Sequence, residues 1–285
     1  MSFWYSLVEL LPFSWAAEGG MYFMKNALLA IIVITPLFGI LSTMVVGSKK
    51  SFFSDAMGHS AFTGIAIGAI CGMAQPMWCA VALAVVFSLL YSFVRHRSSI
   101  SSDTVIGVFS SIAIALGIFI ATAGGRSFTK YNVYLIGDIL SVSPGEIGLL
   151  AIVLAVVVIL WVLFFNKFML SSAHPSLAQS RGISVFWQEA LFSAVIAVVV
   201  TLAMTWVGLL VINSMLILPA AAARNISRNM RKYHLFSILG ALACGIAGLM
   251  TSFYMGASSG AAISLYLGVY FIICFIIGSK NRKLK

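Results

Sequence analysis

Polar and charged positions are sparse along this chain, and they cut it into apolar runs of roughly 20 residues, the length at which a helix crosses the bilayer core. The runs lie near 26–47, 52–74, 77–94, 104–123, 145–166, 187–207, 208–223, 235–251 and 260–278. Nine spans follow from this reading. The stretch 187–223 is ambiguous: it holds Gly208 and Pro219 and is too long for one span yet short for two, so eight spans also satisfy the pattern. The pattern predicts an all-α integral membrane protein of 8–9 transmembrane helices over residues 25–279. A segment 1–24 precedes the bundle and a basic tail 280–285 follows it.

Composition supports that reading. Hydrophobic residues make up 61% of the chain and charged residues 8%, against roughly 25% charged in an average soluble domain. No segment is long and polar enough to form a separate catalytic domain. The net charge of +10 would suit a nucleic-acid surface if it were gathered into a patch, but the charges lie between the apolar runs, so no nucleic acid is expected.

With nine spans, 14 of the 17 Lys and Arg residues fall on one side, and only Lys25, Arg126 and Lys130 on the other. The positive-inside rule makes the first side cytoplasmic, which puts the C-terminus inside and the N-terminus outside. The N-terminal "MSFWYSLVELLPFSWAAEGG" has no basic start and holds Glu9 and Glu18, so it reads as a short interfacial helix rather than a cleaved signal. Cys71, Cys79, Cys244 and Cys274 sit in apolar runs without CxxC spacing and read as small buried hydrophobes.

Ionisable groups inside spans carry the chemistry, because each costs roughly 2.5–3.5 kcal/mol at a helix centre. Asp55 and His59, in "SDAMGHSAFTG", are spaced i, i+4 and share one helix face. A helix that begins near Ser51 places His59 on the order of 12 Å into the membrane. Carboxylate plus imidazole suits a first-row divalent ion such as Zn²⁺, Mn²⁺ or Fe²⁺, and an incomplete ligand set suits an ion that must leave again. A hydrogen bond that locks two helices together explains the same spacing.

The remaining polar residues leave alternatives open. Asp103 either lines a pathway or caps a helix and complements its dipole. Asp138 suits either an outer vestibule or a turn, and Glu189 suits a first helical turn. Asn213 and Ser214 either bond neighbouring helices or line a pathway. His96, His174 and His234 read as ordinary interfacial histidines. In "PAAAARNISRNMRKYHLFS", Pro219 breaks the apolar run. Arg224, Arg228, Arg231 and Lys232 then spread charge along a short cytoplasmic helix, which suits headgroup anchoring or docking of a cytoplasmic partner.

Taken together and in order, "SDAMGHSAFTGIAIG", "SSDTVIGVFSSIAIALGI", "YLIGDILSVS", "VGLLVINSMLILPAAAARNISRN" and "GASSGAAISL" resemble the permease subunits of ABC transporters that import zinc, manganese or iron(II). The resemblance covers about residues 25–278. It implies the type II ABC importer permease bundle and a homodimer around a central path, served by a dimer of cytoplasmic ATP-binding subunits and an extracytoplasmic metal-binding protein. It implies no permanently bound cofactor, only a divalent metal ion as cargo and ATP on the partner subunit.

Under the same resemblance, Asp55 and His59 match the family's metal pathway. The segment 219–233, with Ala222, Arg224, Arg228 and Arg231, matches its coupling region for the ATPases. The chain has no G-x-x-x-x-G-K-[ST] loop, in keeping with ATP chemistry on another chain. Gly58 departs from the serine or alanine expected there but leaves the ligand spacing unchanged. A gradient-driven carrier and a purely structural membrane subunit are the rival readings.

Overall fold

The computed structural model describes residues 2–9, 15–16, 20–123, 137 and 139–283, and these residues are helical throughout with short connections and no strand. The helices are α1 (Ser2–Val8), α2 (Tyr22–Gly47), α3 (Phe53–Ile70), α4 (Pro76–Arg97), α5 (Ser102–Thr122), α6 (Pro144–Ala173), α7 (Pro175–Ser180), α8 (Val185–Val207), α9 (Leu209–Ile226), α10 (Met230–Met255) and α11 (Ser259–Lys283). One 3₁₀ turn, Ile139–Ser141, packs against α2, α8 and α11. Eight of these helices are long and apolar enough to cross a membrane.

α3, the helix that carries Asp55 and His59, is not among the eight. Its polar first half lowers its hydropathy, and it meets protein instead of lipid, with α4, α5, α8 and α9 around it. Polar groups survive at membrane depth when they are shielded in this way.

The ambiguous stretch 187–223 resolves into two helices. Gly208 sits between α8 and α9 at φ +85° and ψ 152°, a backbone region essentially confined to glycine. Pro219, in contrast, does not break the run. It lies inside α9, which continues to Ile226, and the basic residues are spread over the last turn of α9 (Arg224), the turn after it (Arg228) and the start of α10 (Arg231 and Lys232) rather than on a separate short helix. The alanines at 220–223 keep the helix going past the missing proline N–H.

Two groups of helices meet at a seam. On one side α3 packs with α4, α5 and α8; on the other α9 packs with α2, α10 and α11. The second group is tied by a buried hydroxyl pair, Ser42 Oγ to Ser237 Oγ at 2.9 Å, while Ser237 also donates to the Gly39 carbonyl. The first group is tied at its Lys- and Arg-bearing end by Lys50, which is 1% exposed and reaches from the α2–α3 turn to Ser193 Oγ of α8 at 3.2 Å.

The Lys50 ammonium also lies over the rings of Phe53 and Tyr91, close to the Arg95–Glu189 ion pair between α4 and α8. Burial pushes its pKa down to about 8, opposed by the Glu189 carboxylate. Glu189 is thus an interhelix partner and not the first-turn carboxylate its position suggested, because α8 begins at Val185.

At the other end, the segment before α2 folds back on it. Trp4 Nε1 donates to the Lys25 carbonyl, Tyr5 donates to Asn26 Oδ1, and buried Lys25 pairs with Glu9 at 2.9 Å.

Candidate functional site

The turn that enters α3 sets the depth of Asp55 and His59. Lys49 adopts φ +55° and the Phe53 amide donates to the Lys50 carbonyl, so residues 50–52 stay outside the helix. His59 therefore stands about 9 Å from the helix start rather than about 12 Å. Asp55 and His59 share a face as the spacing required, with Asp55 Oδ2 and His59 Nε2 3.5 Å apart. Two ligands held at about 2.1 Å around a tetrahedral ion stand about 3.4 Å apart, so both atoms fit one divalent ion with little rearrangement.

The pair is reachable from one side. The Asp55 side chain is 40% exposed and that of His59 21%, so the pair is open on one side although α3 as a whole is enclosed. From the other side α9 closes on it: Asn213 Nδ2 donates to Asp55 Oδ1 at 2.9 Å. An ionised carboxylate only accepts, so the amide nitrogen faces it and the Asn213 carbonyl oxygen points elsewhere. That oxygen is buried and has no hydrogen-bond partner among the described residues. Asp55 thus offers one oxygen toward His59 while its other oxygen is held by the opposite helix group.

The other sequence candidates form no hydrogen bond or ion pair with this pair among the described residues. Ser214 follows Asn213 but donates to the Leu210 carbonyl of its own helix. Asp103 lies in the first turn of α5; the cap there is Ser101, whose Oγ accepts from the Thr104 amide. Asp138 lies outside the described residues. His234 reaches Thr43 Oγ1 at 3.1 Å, far along the chain from the pair. Among the described residues no group of three or more His, Cys, Asp and Glu side chains gathers to hold a metal.

At the basic end, Arg224 closes α9 while Arg228 and Arg231 flank the turn into α10, and all three are exposed. Arg224 and Arg228 line a cavity of about 370 Å³ with Thr43, Met44, Ser172 and Tyr233. Ala222 is buried in the last turns of α9. Arg224 stands eleven residues beyond Asn213, or about 16 Å along one helix, so α9 joins the Asp55 contact to the basic end.

Sequence reasoning left Asn213 undecided between a helix contact and a pathway. No local signal distinguishes the two, because the partner lies 158 residues away.

Comparison with known proteins agrees with this architecture. The ABC 3 transport family matches residues 20–278. The manganese import system permease protein ScaB of Streptococcus parasanguinis is 32% identical over 265 residues, covering 93% of this chain and 94% of the relative. The high-affinity zinc uptake system membrane protein ZnuB of Haemophilus influenzae is 26% identical, covering 87% and 94%. Among solved structures, PsaBC from Streptococcus pneumoniae in complex with Fab superposes with a TM-score of 0.77 at 26% identity, covering 96% of this chain and 95% of that one.

The fold is that of an ABC importer permease, and these likenesses favour a transporter over an enzyme and an ABC permease over a gradient-driven carrier. With its apolar helices, and a family match that spans nearly its whole length, this multi-pass membrane protein belongs to the ABC 3 transport family.

Proposed function

We propose that this chain is the membrane subunit of a bacterial ABC importer that carries a divalent transition metal ion, manganese or zinc, into the cytoplasm by ATP-driven alternating access. The observation that carries the proposal is the convergence of Asp55 Oδ2 and His59 Nε2, 3.5 Å apart, on an enclosed helix of a fold whose relatives include manganese and zinc permeases. The pair is a transient site. A second copy of the chain, facing the exposed side of the pair, contributes its own Asp55 and His59 to the path.

ATP acts from the basic end. The bias of basic residues puts the C-terminus and the α9–α10 turn in the plasma-membrane cytoplasm, where a dimer of ATP-binding subunits contacts residues 219–233. Arg224 ends a helix whose other half meets Asp55, so a push on that end moves Asn213 relative to α3. An extracytoplasmic metal-binding protein delivers the ion to the opposite mouth. Supporting this reading are the family match and the seam between the two helix groups, which the Asn213–Asp55 hydrogen bond bridges at the site.

The test is reconstitution in liposomes with the ATP-binding subunit and the binding protein. Uptake of Mn²⁺ or Zn²⁺ should require ATP inside and proceed without an ion gradient. Uptake driven by a gradient without ATP would reject the proposal.

A further inference from the structure

We propose that one anionic phospholipid binds along the seam between α6 and α8, its phosphate held by Lys167 and Arg181 and one acyl chain lying in an apolar groove at hydrocarbon depth. The proposal does not depend on the reading of Asp55 and His59.

The length of α6 fixes the depth of the headgroup end. Lys167 stands 23 residues beyond Pro144, the first residue of α6, or about 35 Å along the helix. The hydrocarbon core is about 30 Å thick, so Lys167 lies at headgroup level when α6 spans it.

Arg181 reaches the same place through the turn after α7. Gly182 adopts φ +73° and the Ile183 amide donates to the Ala178 carbonyl at 3.0 Å, which closes α7 and turns the chain toward α8. Lys167 and Arg181 then line one cavity of about 460 Å³ with Asn166, Leu170 and Ile183. Both cations are exposed. The ion pairs among the described residues, Lys25–Glu9, His59–Asp55 and Arg95–Glu189, include neither of them. Two cations without an acid partner, at headgroup depth and over an apolar floor, suit a lipid phosphate.

The acyl-chain end lies on the same face of α6. Leu160 and Val156 precede Lys167 by 7 and 11 residues, close to two and three full turns. They line a groove of about 390 Å³ with Val195, Val198 and Val199 of α8 and Val85 of α4. Along α6 these two residues stand about 10 Å and 16 Å from Lys167, the depth that an acyl chain of one leaflet reaches. α6 is among the least enclosed of the spanning helices, so a lipid has access to both parts from the bilayer. A free phosphate would use the basic cavity alone, and the aligned groove favours the lipid.

The experiment counts lipids on the complex of this chain with its ATP-binding partner by native mass spectrometry in mild detergent. Added phosphatidylglycerol should bind more tightly than phosphatidylcholine of the same chain length. Lys167→Gln combined with Arg181→Gln should weaken phosphatidylglycerol binding roughly thirtyfold, the scale for two basic residues at an anionic headgroup. Arg97→Gln combined with Lys280→Gln removes the same charge from other exposed positions and should leave that binding unchanged. Should the first double variant fail to assemble, each single substitution is read in the same way, with a loss of roughly fivefold.

Equal weakening by both double variants would reduce the contact to general surface charge and overturn the proposal. Val156→Trp fills the groove without touching a charge and should also weaken phosphatidylglycerol binding. Unchanged binding in that variant, or displacement of the lipid by excess inorganic phosphate, would leave only a surface anion site and overturn the lipid assignment.

Discussion

Gly58 of α3 and Leu209 of α9 approach so closely that a methyl group on Gly58 would stand 2.1 Å from Leu209 Cδ1. The contact lies between the two ligand candidates on α3 and at the first residue of the helix that holds Asp55 through Asn213.

Gly58→Ala is expected to displace Leu209 and move α9 away from the site. The atom met is the end of a flexible side chain, so the stability cost is modest, about 1 kcal/mol. Metal uptake should fall well below wild type at normal membrane levels. Adding Leu209→Ala removes the obstacle and should restore much of the uptake, which a comparison of single and double variants measures.

Lys50 gives a pH dependence of fixed sign. Its pKa is about 8 in the folded chain, against about 10.4 for an ordinary lysine. Between these values the folded chain has released the proton while the unfolded chain still holds it, so this group makes stability rise with pH across that window, and its penalty is fully present below about pH 8. The apparent Tm of the detergent-solubilised protein should therefore show a rise from pH 8 to 10 that Lys50→Met removes.

Glu189 balances two cations, Arg95 in a direct pair and Lys50 nearby. Glu189→Gln leaves both without an acid partner and should destabilise the protein by roughly 2 kcal/mol, allowing for the partial exposure of the pair. Combining it with Lys50→Met should recover part of that loss, because one of the two unbalanced charges is gone. Thermal unfolding of the four forms in one lipid composition measures the coupling.

Gly208 joins α8 to α9 in a conformation that side chains rarely adopt. Gly208→Ala is expected to cost about 1–3 kcal/mol. It should also reduce uptake by altering the angle at which α9 leaves α8, and transport compared with thermal stability separates the two effects.

The sequence was informative where a single local interaction decides the outcome. Eight of the nine apolar runs became helices long and apolar enough to span, because burial in lipid leaves a backbone no other partner than itself. The face shared by Asp55 and His59 followed from helical spacing alone. Pro219 was misread, since a proline inside a helix is tolerated when neighbouring helices enclose it, and α2, α10 and α11 do so here. Glu189 was misread because its partner, Arg95, lies 94 residues earlier. Asn213 could not be assigned for the same reason, since its partner Asp55 lies 158 residues earlier.

The proposed metal pathway is tested most directly by ATP-driven uptake of Mn²⁺ and Zn²⁺ in liposomes holding the reconstituted transporter with Asp55→Ala or His59→Ala. Each variant should assemble at wild-type levels and lose nearly all uptake of both ions. Uptake at wild-type rates in both variants would contradict the assignment of Asp55 and His59 to the ion's path.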